Sequence, residues 1–464
     1  MTATTPDGPE SSNPTMPLAA AARVAARPLA ALDTEARAAL LEALAAALED
    51  PHNRAQLAAR NAEDLADAEA AQARGDLSQA LVARLAIGPS KLAALSDGLR
   101  RLAHMPELLG RASLRRALDE GLELERVSCP LGVLGIVFEA RPDAVPQITG
   151  LAFKSGNAVL LKGGREALRS NRALVAIIHA VLRTQGLDPA CVTLLEDRAA
   201  FAHLLNCTRH VDLIVARGSG AFVQHVMDNT AIPVMGHAEG LCHLYLHADA
   251  APDQAAAIAE DAKCSYPAAC NAIETLLWHP DAELALSAVA RRLLARGVGL
   301  RVDPATLALL SSLAPVEAGL IEAGLIEAGQ IEAICDADDD EEYGDLTLSI
   351  RRVPSLDAAL AHIAAHGSRH TEAIVCADAD AGERFIAAVD AACVFVNAST
   401  RFADGYRFGL GAEVGVATGK LHARGPVGVE GLLTYRWLLR GTGQVSADYG
   451  PDKRPFLHRD LDLD

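Results

Sequence analysis

Apolar positions divide the chain into stretches with different periods. Residues 17 to about 105 are rich in Ala and Leu, with Arg, Glu and Asp recurring at helical spacing, which predicts several amphipathic helices. From about 131 the pattern changes. LGVLGIVF (131–138) and AVLL (158–161) are continuous apolar runs, as strands buried on both faces require. Ser170 and Asn171 are candidate N-caps for a helix with Leu174, Ile177, Ile178, Val181 and Leu182 on one face, and Gly186 is its candidate stop. VTLL (192–195), VDLIVA (211–216) and IPVM (232–235) read as further strands, with a helical segment after Gly220. A second alternation starts near LCHLYL (241–246). It runs through a helix over 253–264 to the strands IETLLW (273–278), AIVC (373–376) and CVFVN (393–397). Strands alternating with helices mean βαβ units, so the pattern predicts an α/β protein with two mostly parallel sheets.

Some segments fit neither period. The N-terminus MTATTPDGPESSNPT reads as a disordered tail. EAGLIEAGLIEAGQIEA (317–333) repeats every five residues, too briefly for a solenoid, and reads as a local surface duplication without a catalytic role. The acidic run DADDDEE (336–342) reads mostly as a solvated loop, with one possible exception taken up below.

Composition narrows the function classes. Half of the 464 residues are hydrophobic, enough for a large core. The formal charge of −18 argues against a nucleic-acid partner, although local Arg and Lys can still hold a small anion. No apolar run approaches the roughly 18 residues of a membrane span, and the N-terminus lacks a secretory layout. Nine cysteines without CxxC spacing argue against a disulfide framework or zinc site, and for a reducing, cytoplasmic setting. His210, His225, His362 and His366 show no metal-ligand spacing with carboxylates and read as structural or surface residues; no metal is expected.

Several places could carry chemistry. Cys270, in PAACNAIETLL between a helix and a strand, is either a buried structural cysteine or a nucleophile near backbone N–H donors. ARGSGAF (216–222) follows a strand and opens a helix, so Gly218 and Gly220 could admit a ligand to the helix N-terminus, or form an ordinary turn. FGLGAEVG (408–415) resembles a phosphate cradle only superficially, since no clear strand precedes it. In FEARPD (138–143), Glu139 and Arg141 follow a buried strand, where α/β proteins bind ligands, and Arg141 could hold an anion or oxyanion. STRFADG (399–405) and HARGP (422–426) gather Ser399, Thr400, Arg401 and Arg424 into candidate anion-binding loops.

Taken together and in order, VSCPLGVLGIVFEARPD, LAFKSGNAVLLKGG, VDLIVARGSG, IPVMGHAEGLCHLY, CNAIETLL, VNASTRFADG and FGLGAEVGVATGKLHARGPVG resemble the γ-glutamyl phosphate reductases, a branch of the aldehyde dehydrogenase superfamily, from about residue 17 to 444. The resemblance implies an aldehyde dehydrogenase-like α/β fold with two parallel-sheet domains plus a small oligomerisation element. The implied division is a tail over 1–16, an NADPH-binding domain over 17–240 with an oligomerisation excursion near 112–130, a catalytic domain over 241–420, and an oligomerisation segment over 421–450. It implies NADPH-dependent reduction of L-glutamyl 5-phosphate in proline biosynthesis, a homo-oligomer, and glutamate 5-kinase as a candidate partner.

Carried over by position, Cys270 matches the nucleophile, with Asn271 a candidate oxyanion donor, and Arg141 lies at or beside the superfamily's oxyanion asparagine. Lys162 matches the lysine on the adenosine ribose and its 2′-phosphate. Gly218 and Ser219 match the turn near the pyrophosphate. Glu342 matches the glutamate on the nicotinamide ribose, with Glu341 a weaker match. Ser399, Thr400, Arg401 and Arg424 are assigned to the substrate, and Glu239 falls where hydrolytic relatives carry a general base. Ala216 in place of Pro, the segment CSYPAA, the five-residue repeat and Val445–Ser446 after the final Gly-Gln depart from the pattern. Residue patterns alone leave open an oxidising aldehyde dehydrogenase, a non-catalytic subunit, or a Rossmann protein built on GSGAF with Glu239 on a ribose.

Overall fold

A computed structural model of the chain describes residues 13–139, 141–237, 239–312 and 330–463. Most of the five-residue repeat and of the N-terminal tail lies outside the described residues.

The Ala- and Leu-rich stretch forms helices Met16–Ala30, Thr34–Glu49, Pro51–Ala73, Gln79–Leu85 and Pro89–His104. Their starts follow local chemistry: the carboxylates of Asp33 and Asp50 and the hydroxyl of Ser78 accept first-turn backbone N–H bonds. Leu40, Leu41, Leu44, Leu95 and Leu99 pack with Leu134, Ile136 and Ile148 in one core, which joins these helices to the first sheet.

That sheet is five-stranded and parallel, in the spatial order Val192–Leu194, Ala158–Lys162, Val133–Val137, Leu213–Ala216, Val234–Met235. From the central strand Val133–Val137 the chain builds outward one way, then crosses over and builds the other way. The crevice at the C-terminal ends of Val133–Val137 and Leu213–Ala216 is the switch point where such sheets bind ligands. The second sheet is seven-stranded and parallel, in the order Ile331–Ala333, Gly299–Val302, Thr347–Arg352, Ile273–Trp278, Cys242–Leu246, Thr371–Val375, Cys393–Val396. Separate cores cover the two faces of its strands, one around Leu276 and Leu348, the other around Tyr245 and Leu277.

A third, antiparallel sheet stands apart. The hairpin Ala112–Asp119 and Leu122–Pro130 is extended by Leu433–Arg440, with Arg126 opposite Trp437 and Leu124 opposite Leu439, and by Arg459–Asp460. Leu433–Arg440 is an edge strand. Its alternate residues Tyr435, Trp437 and Leu439 share one face and are 56, 52 and 57% exposed.

Several expectations need correction. Ser170 and Asn171 are not caps: the helix begins at Leu168, and the Ser170 hydroxyl and backbone N–H both donate to Asp64, each at 2.8 Å. The end of the repeat, Ile331–Ala333, is an edge strand paired with Gly299–Val302. The acidic run is mostly exposed, as expected, but it is ordered. Asp336–Asp340 is a 3-10 turn in which Asp339 pairs with Arg351 and Asp338 accepts from Tyr343. Chain spacing also hid a grouping: one ligand atom each from Asp339, His362 and His366 lie within 4.8 Å of one another.

Candidate active site

Parallel strands in register bring their starting points together. Gly240, Cys270 and His370 each lie just before one of three adjacent strands of the seven-stranded sheet, Cys242–Leu246, Ile273–Trp278 and Thr371–Val375. Cys270 sits in the turn between helix Pro252–Cys264 and Ile273–Trp278, and its carbonyl accepts from the Cys242 thiol at 3.2 Å. Gly240 makes the close approach possible, since a Cβ there would stand 2.4 Å from the Cys270 carbonyl oxygen and 2.6 Å from its Cα. The same Cβ would be 2.8 Å from Glu342 Oε1, so Gly240 lets Glu342 and Cys270 share one space.

Asn271 ties this turn to a second loop. Its amide donates to the Ala403 carbonyl at 2.9 Å, and its side-chain oxygen accepts from Arg401. The Arg401 Nε also donates to Ser265 Oγ at 3.1 Å. The five-stranded sheet contributes Arg217, the first residue after Leu213–Ala216. Glu413 faces it from the 405–415 loop, with Oε2 accepting the Gly405 N–H at 2.8 Å. Arg141, bonded to Asp143 at 3.3 Å, lines a cleft of about 580 Å³ with Gln147, Arg217, Asp404, Tyr406 and Glu413.

The charges around Cys270 oppose one another. Cys270 is half-buried, and burial pushes its thiol up to about 12; Glu413 and Glu342 push the same way, while Arg217 and Arg401 pull it down. Burial also raises Glu413 above the usual carboxylate range, with Arg217 pulling against it. Burial lowers Arg217, and Arg141 adds like-charge repulsion.

The sequence-selected residues therefore fall into groups. Cys270, Asn271, Arg401 and Glu342 come together, and Arg141 joins Arg217 and Glu413 beside them. Ser399 serves its own turn, accepting the Arg401 N–H at 3.2 Å, while the fully buried Thr400 hydroxyl has no partner. Arg424 is held elsewhere, by Asp390 at 2.9 Å. Glu239 is exposed. Sequence reasoning passed over Arg217, Glu413, His237 and His370. The signal was present: the first two stand inside ARGSGAF and FGLGAEVG, which were read only for their glycines.

The switch-point crevice fits a nucleotide. Ser219 is the N-cap of helix Gly220–Asp228, but its hydroxyl makes no capping bond, leaving the first-turn N–H groups to a ligand. A Cβ on Gly218 would stand 3.0 Å from Phe222 and 3.2 Å from Glu139 Oε1, so a side chain there would crowd the entrance. Lys162, at the end of Ala158–Lys162, is buried with its ammonium on the neighbouring Gly163 carbonyl at 2.5 Å and with no ion pair among the described residues. Burial lowers its pKa, a cost that an anion beside it would offset. These residues suit a dinucleotide phosphate.

No protein-family model matches the chain. Relatives do. The γ-glutamyl phosphate reductase of Synechococcus elongatus is 50% identical over 444 residues, covering 95% of this chain and 97% of the relative. The crystal structure of γ-glutamyl phosphate reductase from Thermotoga maritima superposes with a TM-score of 0.85 at 30% identity, over 93% of this chain and 99% of that one. At the level of fold alone, an acetylating aldehyde dehydrogenase from Geobacillus thermoglucosidasius matches with a TM-score of 0.64 at 16% identity, over 93% and 97% of the two chains. An engineered glycolyl-CoA reductase with bound NADP+ matches at 0.60 and 16%, over 91% and 96%.

Proposed function

This chain belongs to the γ-glutamyl phosphate reductase family, and from that premise we propose that it reduces L-glutamyl 5-phosphate to L-glutamate 5-semialdehyde and phosphate, in proline biosynthesis, through a thioester on Cys270. It is an oxidoreductase of aldehyde dehydrogenase-like fold. The observation that carries the reading is the thiol of Cys270 set among Arg217, Arg401, Glu342 and Glu413.

The chain's own residues then have defined work. Cys270 Sγ bonds to the acyl carbon, and the C–O bond to phosphate breaks with its electron pair. Arg217 and Arg141 supply positive charge in the adjoining cleft, where the anionic phosphoryl group is stabilised. The Asn271 amide already binds Ala403, so the oxyanion falls to backbone N–H groups of the turn; one such donor contributes roughly 3 kcal/mol. NADPH, when bound, supplies the hydride that discharges the thioester. Lys162 would hold its 2′-phosphate side, Gly218 and Ser219 its pyrophosphate, and Glu342 its nicotinamide ribose. Arg401 braces the Cys270 turn through Asn271 and Ser265 rather than standing free for substrate.

The protein is proposed to work in the cytoplasm, and no helix among the described residues is long and apolar enough to cross a membrane. The exposed face of Tyr435, Trp437 and Leu439 supports a homo-oligomer. Glutamate 5-kinase is a fitting partner because an acyl phosphate is labile. The test runs the reaction backwards, following NADP+ reduction with glutamate semialdehyde. Rate should depend on added phosphate, and Cys270→Ser should abolish it while leaving NADPH binding intact. Phosphate-independent turnover would indicate an oxidising dehydrogenase instead, and a Cys270→Ser variant with more than a few per cent of the rate would place the nucleophile elsewhere.

A further inference from the structure

A buried thiol cannot attack until its proton has somewhere to go. The carboxylates nearby are poor receivers: Glu413 is tied to the Gly405 N–H, and Glu342 and Glu239 are exposed. An imidazole is better placed. His237 lies in the turn after Val234–Met235, and one ring nitrogen from each of His237 and His370 and the Cys270 sulfur lie within 4.8 Å of one another.

The tautomer of His237 follows from its partner. His237 Nδ1 is 3.0 Å from the Val416 carbonyl oxygen. A carbonyl can only accept, so Nδ1 carries the proton and neutral Nε2 keeps its lone pair. His370 stands against the ring of His237, edge to face, with centroids 5.1 Å apart. It is fully buried, with Nδ1 at 2.8 Å from the Thr371 hydroxyl and Nε2 without a partner. Burial, reinforced by His237, pushes His370 down to about 3, so it stays neutral and forms a wall rather than a second proton carrier.

Resting on the reading of Cys270 as nucleophile, we propose that His237 is the proton acceptor for Cys270, and that His370 and the Val416 carbonyl position its ring. In acylation the Sγ–H proton passes to His237 Nε2, through one bridging water where ring and sulfur stand beyond hydrogen-bond distance, as the S–C bond forms. The C–O bond to phosphate breaks with its electron pair, and the proton leaves on the departing phosphate as hydrogen phosphate. The imidazole is thereby returned neutral. After reduction the released thiolate regains a proton from water through the same ring. In HAEG the catalytic group is thus the histidine, and Glu239 is exposed.

The test uses the full chain and iodoacetamide, with alkylation of Cys270 followed by peptide mass mapping against pH. The titratable or charged groups around the pair are His370, Cys242, Glu413, Glu342, Arg217 and Arg401. His237→Gln retains a donor for Val416, so the fold and NADPH affinity should hold. Cys270 alkylation at pH 7.5 should slow about tenfold or more, its pH profile should change, and turnover should fall by about 10²-fold or more. Added imidazole should restore part of the rate to His237→Ala. Unchanged alkylation rate and profile in both variants would overturn the proposal. If wild-type protein survives complete alkylation of Cys270 with its activity intact, the nucleophile reading falls instead, so the two failures are distinguishable.

Discussion

Lys263 and Glu274 form an ion pair at 2.6 Å directly behind the Cys270 turn, with side chains 0% and 2% exposed. Burial pushes Glu274 up to about 7, and Lys263 is the chief influence opposing it. Replacing Lys263 by Met leaves that carboxylate with only the Gly344 N–H at 3.3 Å. Stranding one partner of a buried pair costs about 3–5 kcal/mol. At about 2–4 °C per kcal/mol for a cooperative unit of 150–250 residues, melting should fall by roughly 6–20 °C. The pH dependence has a definite sign. A carboxyl whose folded pKa is raised holds its proton better folded than unfolded. The penalty is therefore absent below the unfolded value near 4.5 and grows as pH rises through the folded value, which without Lys263 lies above 7. Calorimetry should show a small deficit at pH 5 and the full one at pH 9. Lys263→Met with Glu274→Leu should recover most of the stability, short by about 1 kcal/mol for the lost Gly344 bond. Because that bond anchors the segment carrying Glu342, the double variant should still bind NADPH more weakly. A single variant that melts within a degree of the parent at pH 9, or loses as much at pH 5, would refute the reasoning.

Other substitutions probe separate parts. Lys162→Ala should weaken NADPH by about 10–100-fold, in line with roughly 1.5–3 kcal/mol for a charged hydrogen bond, and NADH much less. Equal losses in a fluorescence titration would move Lys162 away from the 2′-phosphate. Glu239→Gln should keep aldehyde formation from γ-glutamyl phosphate within a few fold, because the side chain is exposed; a thousandfold loss with unchanged NADPH affinity would make Glu239 a proton-transfer residue. Trp437→Arg should shift sedimentation toward smaller species with the fold retained; an unchanged distribution would show that this face is not the contact between copies.

Much of the fold was legible because a doubly covered parallel strand is largely apolar, as Val133–Val137 is throughout. Turns and short edges were harder. The last unit of the repeat becomes a strand only because Gly299–Val302 offers it an open edge. The acidic run is ordered by Arg351, a partner that no local pattern predicts. The same logic applies to the site. Cys270 and Lys162 stand within segments whose order along the chain carries the resemblance. His237 and His370 lie far apart in sequence and meet because Cys242–Leu246 and Thr371–Val375 are neighbours, with His243 paired to Glu372.

The pairing of Leu433–Arg440 with Leu122–Pro130 also fixes an order of events during synthesis. The hairpin Ala112–Pro130 leaves the ribosome with both edges open, and the strand that closes the Leu122–Pro130 edge is encoded about 300 residues later. At about 5–20 residues per second the wait is roughly 15–60 s. Throughout that time backbone donors and acceptors along Leu122–Pro130 are unpaired and available to other nascent chains. The two strands of this hairpin carry Arg115, Arg116, Glu123, Glu125 and Arg126. That density of charge guards a waiting edge against premature pairing, and neutralising it should lower the yield of folded protein in translation far more than it lowers the melting temperature of what does fold.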